Sequence, residues 1–394
     1  MNVLFLSHIF PSNGHPAVGP YNFQIFNAIS RNCSSKVIVP RAFWKELKSP
    51  MHLLSPSVEK HGALDVSYPV YWSVPGASRL HASAMRTSLI QRVKKLHAVS
   101  SFDVILAAWA YPDAVAASMI GREIGIPVVW NVLGSDVNVL TRLPGLSTQI
   151  KVGIAQASKV ITVSDALKSR LVEIGAPQDK ITTIHNGVDG KIFTLANKTA
   201  ARKSLSLDID APLIVYVGRV SHEKGPDVLL DALANLTPDS PLAKASVAIV
   251  GGGAMEPEIL KKMKELNLES KVVITGMRPP SEVINWFAAS DLLCLPSRRE
   301  GCPNAVLEAL ATGRPVVASR IGGVPELLNR DNGIMIDPDN PEQLRVAMET
   351  ALRRDWNPQK LRDSVENLSW DEVGDRYFDV LEEAVRNHRS SRHS

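Results

Sequence analysis

The chain has 394 residues, 45% of them hydrophobic and 21% charged, which suits a folded protein of two average domains and excludes a disordered, collagen-like or coiled-coil chain. The net charge of +4 is unevenly placed: residues 1–190 carry 18 Lys+Arg against 11 Asp+Glu, and the remainder is net −3. A basic first half points to an anionic partner on that side.

The N-terminal run Met1–Leu6 is too short for a signal-peptide core and has no basic residue before it, so it reads as a first strand. Further near-continuous apolar runs follow at Lys36–Val39, Val104–Ala108, Val128–Leu133 and Val160–Val163, the pattern of parallel strands covered on both faces. Helical patterns lie between them at Phe23–Ser30, Asp113–Ile124 and Asp165–Ile174, with Gly175 as a stop. Asn186–Ala211 is polar and weakly periodic and reads as a linker. Strands then recur at Leu213–Val217, Val247–Val250, Val272–Thr275, Leu292–Leu295, Pro315–Ser319 and Ile334–Ile336. Helices recur at Asp227–Leu236, Glu256–Leu266, Ser281–Ala289, Ala305–Ala311 and Pro341–Arg353, and a last helix spans Asp371–Asn387. The tail from His388 is expected to fray.

This alternation predicts an α/β protein of two Rossmann-like, doubly wound domains, residues 1–190 and 191–370. Residues 371–394 are expected to pack back toward the first domain. Ligands of such sheets bind at the carboxyl ends of the strands. No run approaches the roughly 18 apolar residues of a membrane span. Cys33, Cys294 and Cys302 form neither a disulfide framework nor a C-x-x-C metal pair. A cytoplasmic protein is expected.

The segment from Ser297 to Val317 holds two glutamates, Glu300 and Glu308, with seven residues between them. It closely resembles the signature of family-four glycosyltransferases, retaining enzymes of the GT-B fold. Val217–Gly225 resembles that family's phosphate-binding segment, Asn186–Asp189 its interdomain turn, and Ile321–Glu326 the segment after its signature. The resemblance implies that Arg219 and Lys224 stabilise a departing diphosphate, a role suited to a planar fork and a point charge. It implies that Glu308 binds ribose hydroxyls and Glu300 sugar hydroxyls. Gly218, Gly301, Asn304, Ala305 and Val306 would approach the donor around a helix N-terminus, where N–H groups favour an anion. In the first domain, the loop Asn13–Pro20 would bring Gly19 to the donor phosphates, with His15 as loop surface. Resembling chains place a histidine where this one has Leu133, so no catalytic histidine is carried over, and Asp136 is the remaining candidate for a sugar contact or a helix cap.

Two motifs are decoys. Gly251–Glu256 follows a strand but has glutamate where a dinucleotide fingerprint needs its third glycine, so it reads as a tight βα turn. Asp208-Ile209-Asp210 precedes a strand and reads as a solvated pair, so no metal is expected. The stretch Arg79–His97 has five Lys/Arg and no acid, with Leu89, Val93 and Leu96 on one side. It suits either a face on anionic lipid at the inner side of a membrane or a solvated crossover helix.

The expected activity is α-retaining sugar transfer, without metal or other cofactor, from a uridine or guanosine diphosphate sugar to a glycan or lipid-linked acceptor, with residues 1–190 as the acceptor domain and 191–370 as the nucleotide-sugar donor domain. A nucleotide-sugar epimerase of the same fold and a non-catalytic sugar-nucleotide-binding subunit are the alternatives. No nucleic acid partner is expected.

Overall fold

A computed structural model describes residues 1–12, 14, 18–48 and 58–393. Asn13, His15, Pro16 and Ala17 of the loop singled out above lie outside the described residues. The chain divides into two compact units, Met1–Asn186 with Trp370–Ser394, and Gly187–Ser369.

In the first unit the strands are β1 (Asn2–Leu6), β2 (Ser34–Ile38), β3 (Arg41–Ala42), β4 (Val58–His61), β5 (Leu64–Ser67), β6 (Val70–Tyr71), β7 (Val104–Ala108), β8 (Val128–Val132), β9 (Lys159–Thr162) and β10 (Ile181–Thr183). Among the described residues the main sheet runs β10-β9-β8-β7-β1-β2-β5-β4, and β3 pairs with β6. Every pairing in the main sheet is parallel except β4 with β5. Val3 to Leu6 and all of β7 are buried, which is why these segments read as unbroken apolar runs.

The second unit adds β11 (Leu213–Val217), β12 (Ser246–Val250), β13 (Val272–Gly276), β14 (Leu292–Leu295), β15 (Val316–Ser319) and β16 (Gly333–Ile336). Their order is β13-β12-β11-β14-β15-β16, all parallel. Numbered within the unit this is 3-2-1-4-5-6, the doubly wound dinucleotide-fold order. The order reverses between β11 and β14, so crossovers leave opposite faces there and open a crevice at the strands' carboxyl ends.

The final helix spans Trp370–His393. Trp370, Val373, Tyr377, Leu381 and Ala384 join Ile25, Phe26 and Ile29 in the core of the first unit. The expected frayed tail is instead helical through His393. His388 Nε2 bonds the Gly125 carbonyl at 3.1 Å and Arg389 donates to Asp103 at 2.6 Å, so polar contacts hold a segment with no apolar stripe.

The expected linker also contains structure, the helix Lys198–Ser204. Arg202 anchors it: its side chain is 1% exposed, and it donates to the Ala289 carbonyl at 2.9 Å and to Asp291 at 2.7 Å. A helix docked by one buried guanidinium leaves no apolar period to read. Asp208, in the decoy triplet, accepts the Asp210 N–H at 2.8 Å and forms a local turn.

The basic stretch forms the helix His81–Ser100. Leu89 and Val93 are fully buried in it. Arg86 and Lys94 both pair with Glu123, so the crossover neutralises part of its own basic face.

Gly374 sets the approach of the last helix to the helix Pro20–Ile29. A Cβ there would lie 2.7 Å from Ala28 Cβ and 2.9 Å from its backbone carbon. Gly374→Ala is therefore expected to lower stability by about 1–3 kcal/mol through overpacking, although alanine is the better helix former. Thermal unfolding checks this, and an unchanged or raised midpoint would show that the helices can part at no cost.

Candidate active site

At the second unit's strand-order reversal, two loops leave adjacent strands. One follows β11 and carries Gly218, Arg219 and Lys224, and the other follows β14 and carries Ser297 to Gly301. Their backbones and side chains interlock. The Arg298 and Arg299 N–H groups donate to the Glu223 carbonyl at 2.7 and 3.2 Å. The Arg298 guanidinium grips Asp227 with two bonds of 2.9 and 2.7 Å and also donates to the His222 carbonyl at 2.8 Å. Burial pushes the Asp227 carboxyl up, but the hydrogen bonds and charge of Arg298 outweigh it and hold it below the ordinary 3.8. The hydrogen bonds from Asp227 in turn raise Arg298.

This clamp brings Lys224 to Glu300. The ammonium donates to Oε1 at 2.7 Å and to Oε2 at 2.8 Å, and Ser297 Oγ donates to Oε1 at 2.7 Å. The Glu300 side chain is 4% exposed and that of Lys224 21%. The two were expected to serve separate parts of a ligand, and the structure couples them directly. An ammonium has three N–H donors and a carboxylate about four lone-pair sites, so both keep capacity for a ligand.

The glutamate's backbone is fixed from below. Gly322 has φ +51°, and a Cβ on it would lie 2.2 Å from the Glu300 carbonyl oxygen, so only glycine permits this contact. The next residue, Gly323, donates its N–H to the Gly301 carbonyl at 2.8 Å. The Ile321–Glu326 segment thus braces the signature turn, a role its sequence did not disclose.

Arg219 is exposed, and among the described residues no carboxylate pairs with it. Its carbonyl accepts the Tyr216 hydroxyl at 2.6 Å. Burial first, and the Glu300 charge second, push that phenol well above 10, so it stays a neutral donor that pins the loop. Behind it lies the glycine decoy. A Cβ on Gly251 would sit 1.8 Å from the Gly218 carbonyl, so the glycines serve close loop packing.

The helix Asn304–Ala311 starts beside Glu300, with Pro303 as N-cap. The Val306 N–H is already spent on the Pro303 carbonyl at 3.1 Å, which removes it from the expected donor contacts. Among the described residues nothing accepts the Ala305 N–H. Asn304 is buried, whereas Glu308 is partly exposed on the same helix.

Two expected residues belong to the first unit. Gly19 caps the helix Pro20–Ile29 at φ +65°, with the Ile9 carbonyl 2.5 Å from where a Cβ would lie, so packing already accounts for the glycine. Asp136 is fully buried. Its carboxylate accepts N–H groups of Ala110 at 3.0 Å, Leu133 at 3.1 Å and Gly134 at 2.7 Å. Burial raises its carboxyl above 3.8 against those bonds. The sugar-contact reading of Asp136 gives way to a structural one, because a carboxylate enclosed by backbone amides offers no face to a ligand.

Residues 36–191 match the family described as Glycosyltransferase Family 4, and residues 211–354 match Glycosyl transferases group 1. The chain is 29% identical to the putative teichuronic acid biosynthesis glycosyltransferase TuaC of Bacillus subtilis, over 93% of this chain and 94% of that one. It is 30% identical to D-inositol 3-phosphate glycosyltransferase 1 of Catenulispora acidiphila, over 75% of each. Among solved structures, HepE of Anabaena in complex with UDP-glucose superposes with a TM-score of 0.66 at 21% identity, covering 99% of this chain and all of that one.

The Asp227–Arg298 clamp has a pH signature. Because the folded carboxyl titrates below its unfolded value, the clamp adds stability above about pH 4, and that stability drains as the pH falls through the folded value. Asp227→Asn is expected to lower the unfolding midpoint at pH 7 and to converge on the wild type toward pH 3. Parallel melting curves across that range check it, and a constant gap would mean that Asp227 carries no such linkage.

Proposed function

This chain belongs to glycosyltransferase family 4, and we propose that it moves a sugar from a uridine or guanosine diphosphate sugar to a glycan or lipid-linked acceptor, forming an α-linkage without a metal. With such a donor the reaction releases a nucleoside diphosphate, whose negative charge grows as the sugar departs. The observation that carries the donor reading is the cluster at the β11/β14 reversal, where an exposed Arg219, the coupled Lys224–Glu300 pair and the N-terminus of the helix Asn304–Ala311 follow neighbouring strands.

In this reading Arg219 and the spare N–H of Lys224 meet the diphosphate, and the Ala305 N–H adds a neutral donor. Glu300 accepts one hydroxyl of the transferred sugar with its remaining lone pair, and its link to Lys224 ties sugar recognition to leaving-group charge. Glu308 accepts the ribose hydroxyls. The acceptor oxygen bonds to the anomeric carbon from the face the diphosphate leaves, and its proton passes to the departing diphosphate oxygen, so no protein nucleophile is required.

HepE binds UDP-glucose, which supports a donor of this class. The names of TuaC and of the inositol phosphate enzyme point to different acceptors; the glycan or lipid-linked reading leans on the teichuronic acid relative, and inositol phosphate lies outside it. A contact with anionic lipid would rest on Arg79, Arg92 and Lys95, since Arg86 and Lys94 are engaged by Glu123.

Two substitutions separate charge from architecture. Arg219→Ala is expected to slow nucleoside diphosphate release by about 10²–10³-fold with a nearly unchanged unfolding midpoint, because its side chain is exposed and holds no ion pair among the described residues. Lys224→Ala is expected to slow it as much and also to cost about 2 kcal/mol of stability, since Glu300 is left buried without its cation. Turnover from a panel of UDP- and GDP-sugars, with melting curves, checks both. Near-wild-type turnover of both variants would remove the phosphate assignment.

The nucleotide half of the site has its own test. Glu308→Gln is expected to weaken UDP or GDP binding while leaving the turnover of bound donor nearly unchanged, because a ribose contact exists in ground and transition state alike. Calorimetric titration of the variant against wild type reads it, and equal affinities would refute the ribose contact.

A further inference from the structure

The first unit has its own strand-order reversal, between β1 and β7. The two strands pair in parallel from Val3 with Val104 to Leu6 with Ala107, and β2 lies on the other side of β1. His8 follows β1 and Asp113 follows β7, so both stand at the carboxyl ends where such sheets bind ligands. The Asp113 side chain is fully buried, while that of His8 keeps 25% exposure. One carboxylate oxygen accepts the His8 backbone N–H at 2.6 Å, and the other faces His8 Nδ1 at 2.5 Å. The imidazole thus reaches from an interior carboxylate to solvent. Trp109, partly exposed and held at φ +92°, stands edge-on to it with ring centroids 6.1 Å apart. A non-glycine residue at that φ carries backbone strain, which folds retain chiefly at working sites.

An ionised carboxylate only accepts, so Nδ1 carries the proton, and in the neutral imidazole Nε2 is left with its lone pair. Among the described residues Nε2 has no hydrogen-bond partner. A lone pair backed by a buried negative charge repels a phosphate and suits a hydroxyl. We propose that His8 Nε2 accepts the hydrogen bond of the acceptor's carbohydrate hydroxyl, with Trp109 offering an aromatic wall to the sugar ring and Asp113 as the positioning residue that fixes the tautomer. This rests on the transferase reading above. It adds an acceptor subsite to the first unit and asks no proton transfer of His8.

Asp113→Asn keeps the shape and reverses the chemistry. The amide oxygen must still take the His8 N–H, so the NH₂ group faces Nδ1 and drives the proton to Nε2, which then donates instead of accepting. Imidazole nitrogen NMR is expected to show an Nδ1–H tautomer in wild type and an Nε2–H tautomer in Asp113→Asn. Nucleoside diphosphate release from UDP-glucose and GDP-mannose is then measured with octyl glucoside as acceptor and with water alone. His8→Ala and Asp113→Asn are expected to lower octyl glucoside-dependent release about 10–100-fold, the worth of one charge-coupled hydrogen bond. Release to water and binding of UDP or GDP stay within about twofold on the same argument, and His8→Gln restores part of the loss. Equal losses with and without acceptor would place His8 on the donor and overturn the proposal, as would acceptor-dependent release untouched by either variant. If wild type binds neither UDP nor GDP, the donor reading fails separately. In that case, or if octyl glucoside does not speed release, titration of octyl glucoside, N-acetylglucosamine and myo-inositol against the His8 imidazole resonances decides. A shift in wild type that is absent in Asp113→Asn sustains the subsite, and no shift with any of them removes it.

Discussion

The Lys224–Glu300 ion pair is the contact on which the loops after β11 and β14 depend. A carboxylate that is 4% exposed is costly to hold charged unless a cation and hydrogen bonds meet it, and here the cation comes from the loop of the neighbouring strand. Neither loop can shift alone without stranding one charge. The Arg298–Asp227 fork and the Glu223 carbonyl repeat the same cross-strand logic a few residues away. Gly322 lets the brace beneath Glu300 come within a distance no side chain would allow. The site is therefore stiff before any ligand arrives, which is what electrostatic stabilisation of a departing anion requires.

Strand periodicity and loop chemistry were legible in the sequence to different degrees. β1, β7, β8 and the strands of the second sheet stood out because burial on both faces forces unbroken apolar runs. The Glu300–Glu308 spacing and the Arg219–Lys224 segment stood out because they lie within short stretches. The hairpin of β4 and β5 and the helix Pro144–Gln156 were missed. The edge strand β4 reads Val-Glu-Lys-His with Val58 exposed and Glu59 buried, so it has no apolar run, and the helix contains Gly153, which packs on Trp130 where larger side chains would signal a core. Lys198–Ser204 was read as linker because a buried arginine anchors it.

Pairings across long sequence separations were the least legible. Lys224 and Glu300 were each singled out, yet their coupling spans 76 positions and only the adjacency of β11 and β14 reveals it. His8 and Asp113 are 105 positions apart; His8 had no role in the sequence reading, and Asp113 showed only as the start of a helical pattern. The signal that would have found them is topological: residues that follow the two strands flanking an order reversal become neighbours. Asp136 shows the converse error, since a carboxylate in a promising loop proved to be the fastener of that loop.

The two units thus answer the same topological position with opposite chemistry. At β11/β14 the buried partner is the carboxylate of Glu300 and the more exposed one an ammonium, which offers N–H donors to an anion. At β1/β7 the buried carboxylate of Asp113 is backed onto an imidazole, which presents a lone pair outward. A diphosphate is recognised by donors and positive charge, and a hydroxyl about to attack is better held by an acceptor that leaves its oxygen lone pairs clear. A transferase needs both, and in the proposed reading each is met by its own sheet, so neither charge balance constrains the other.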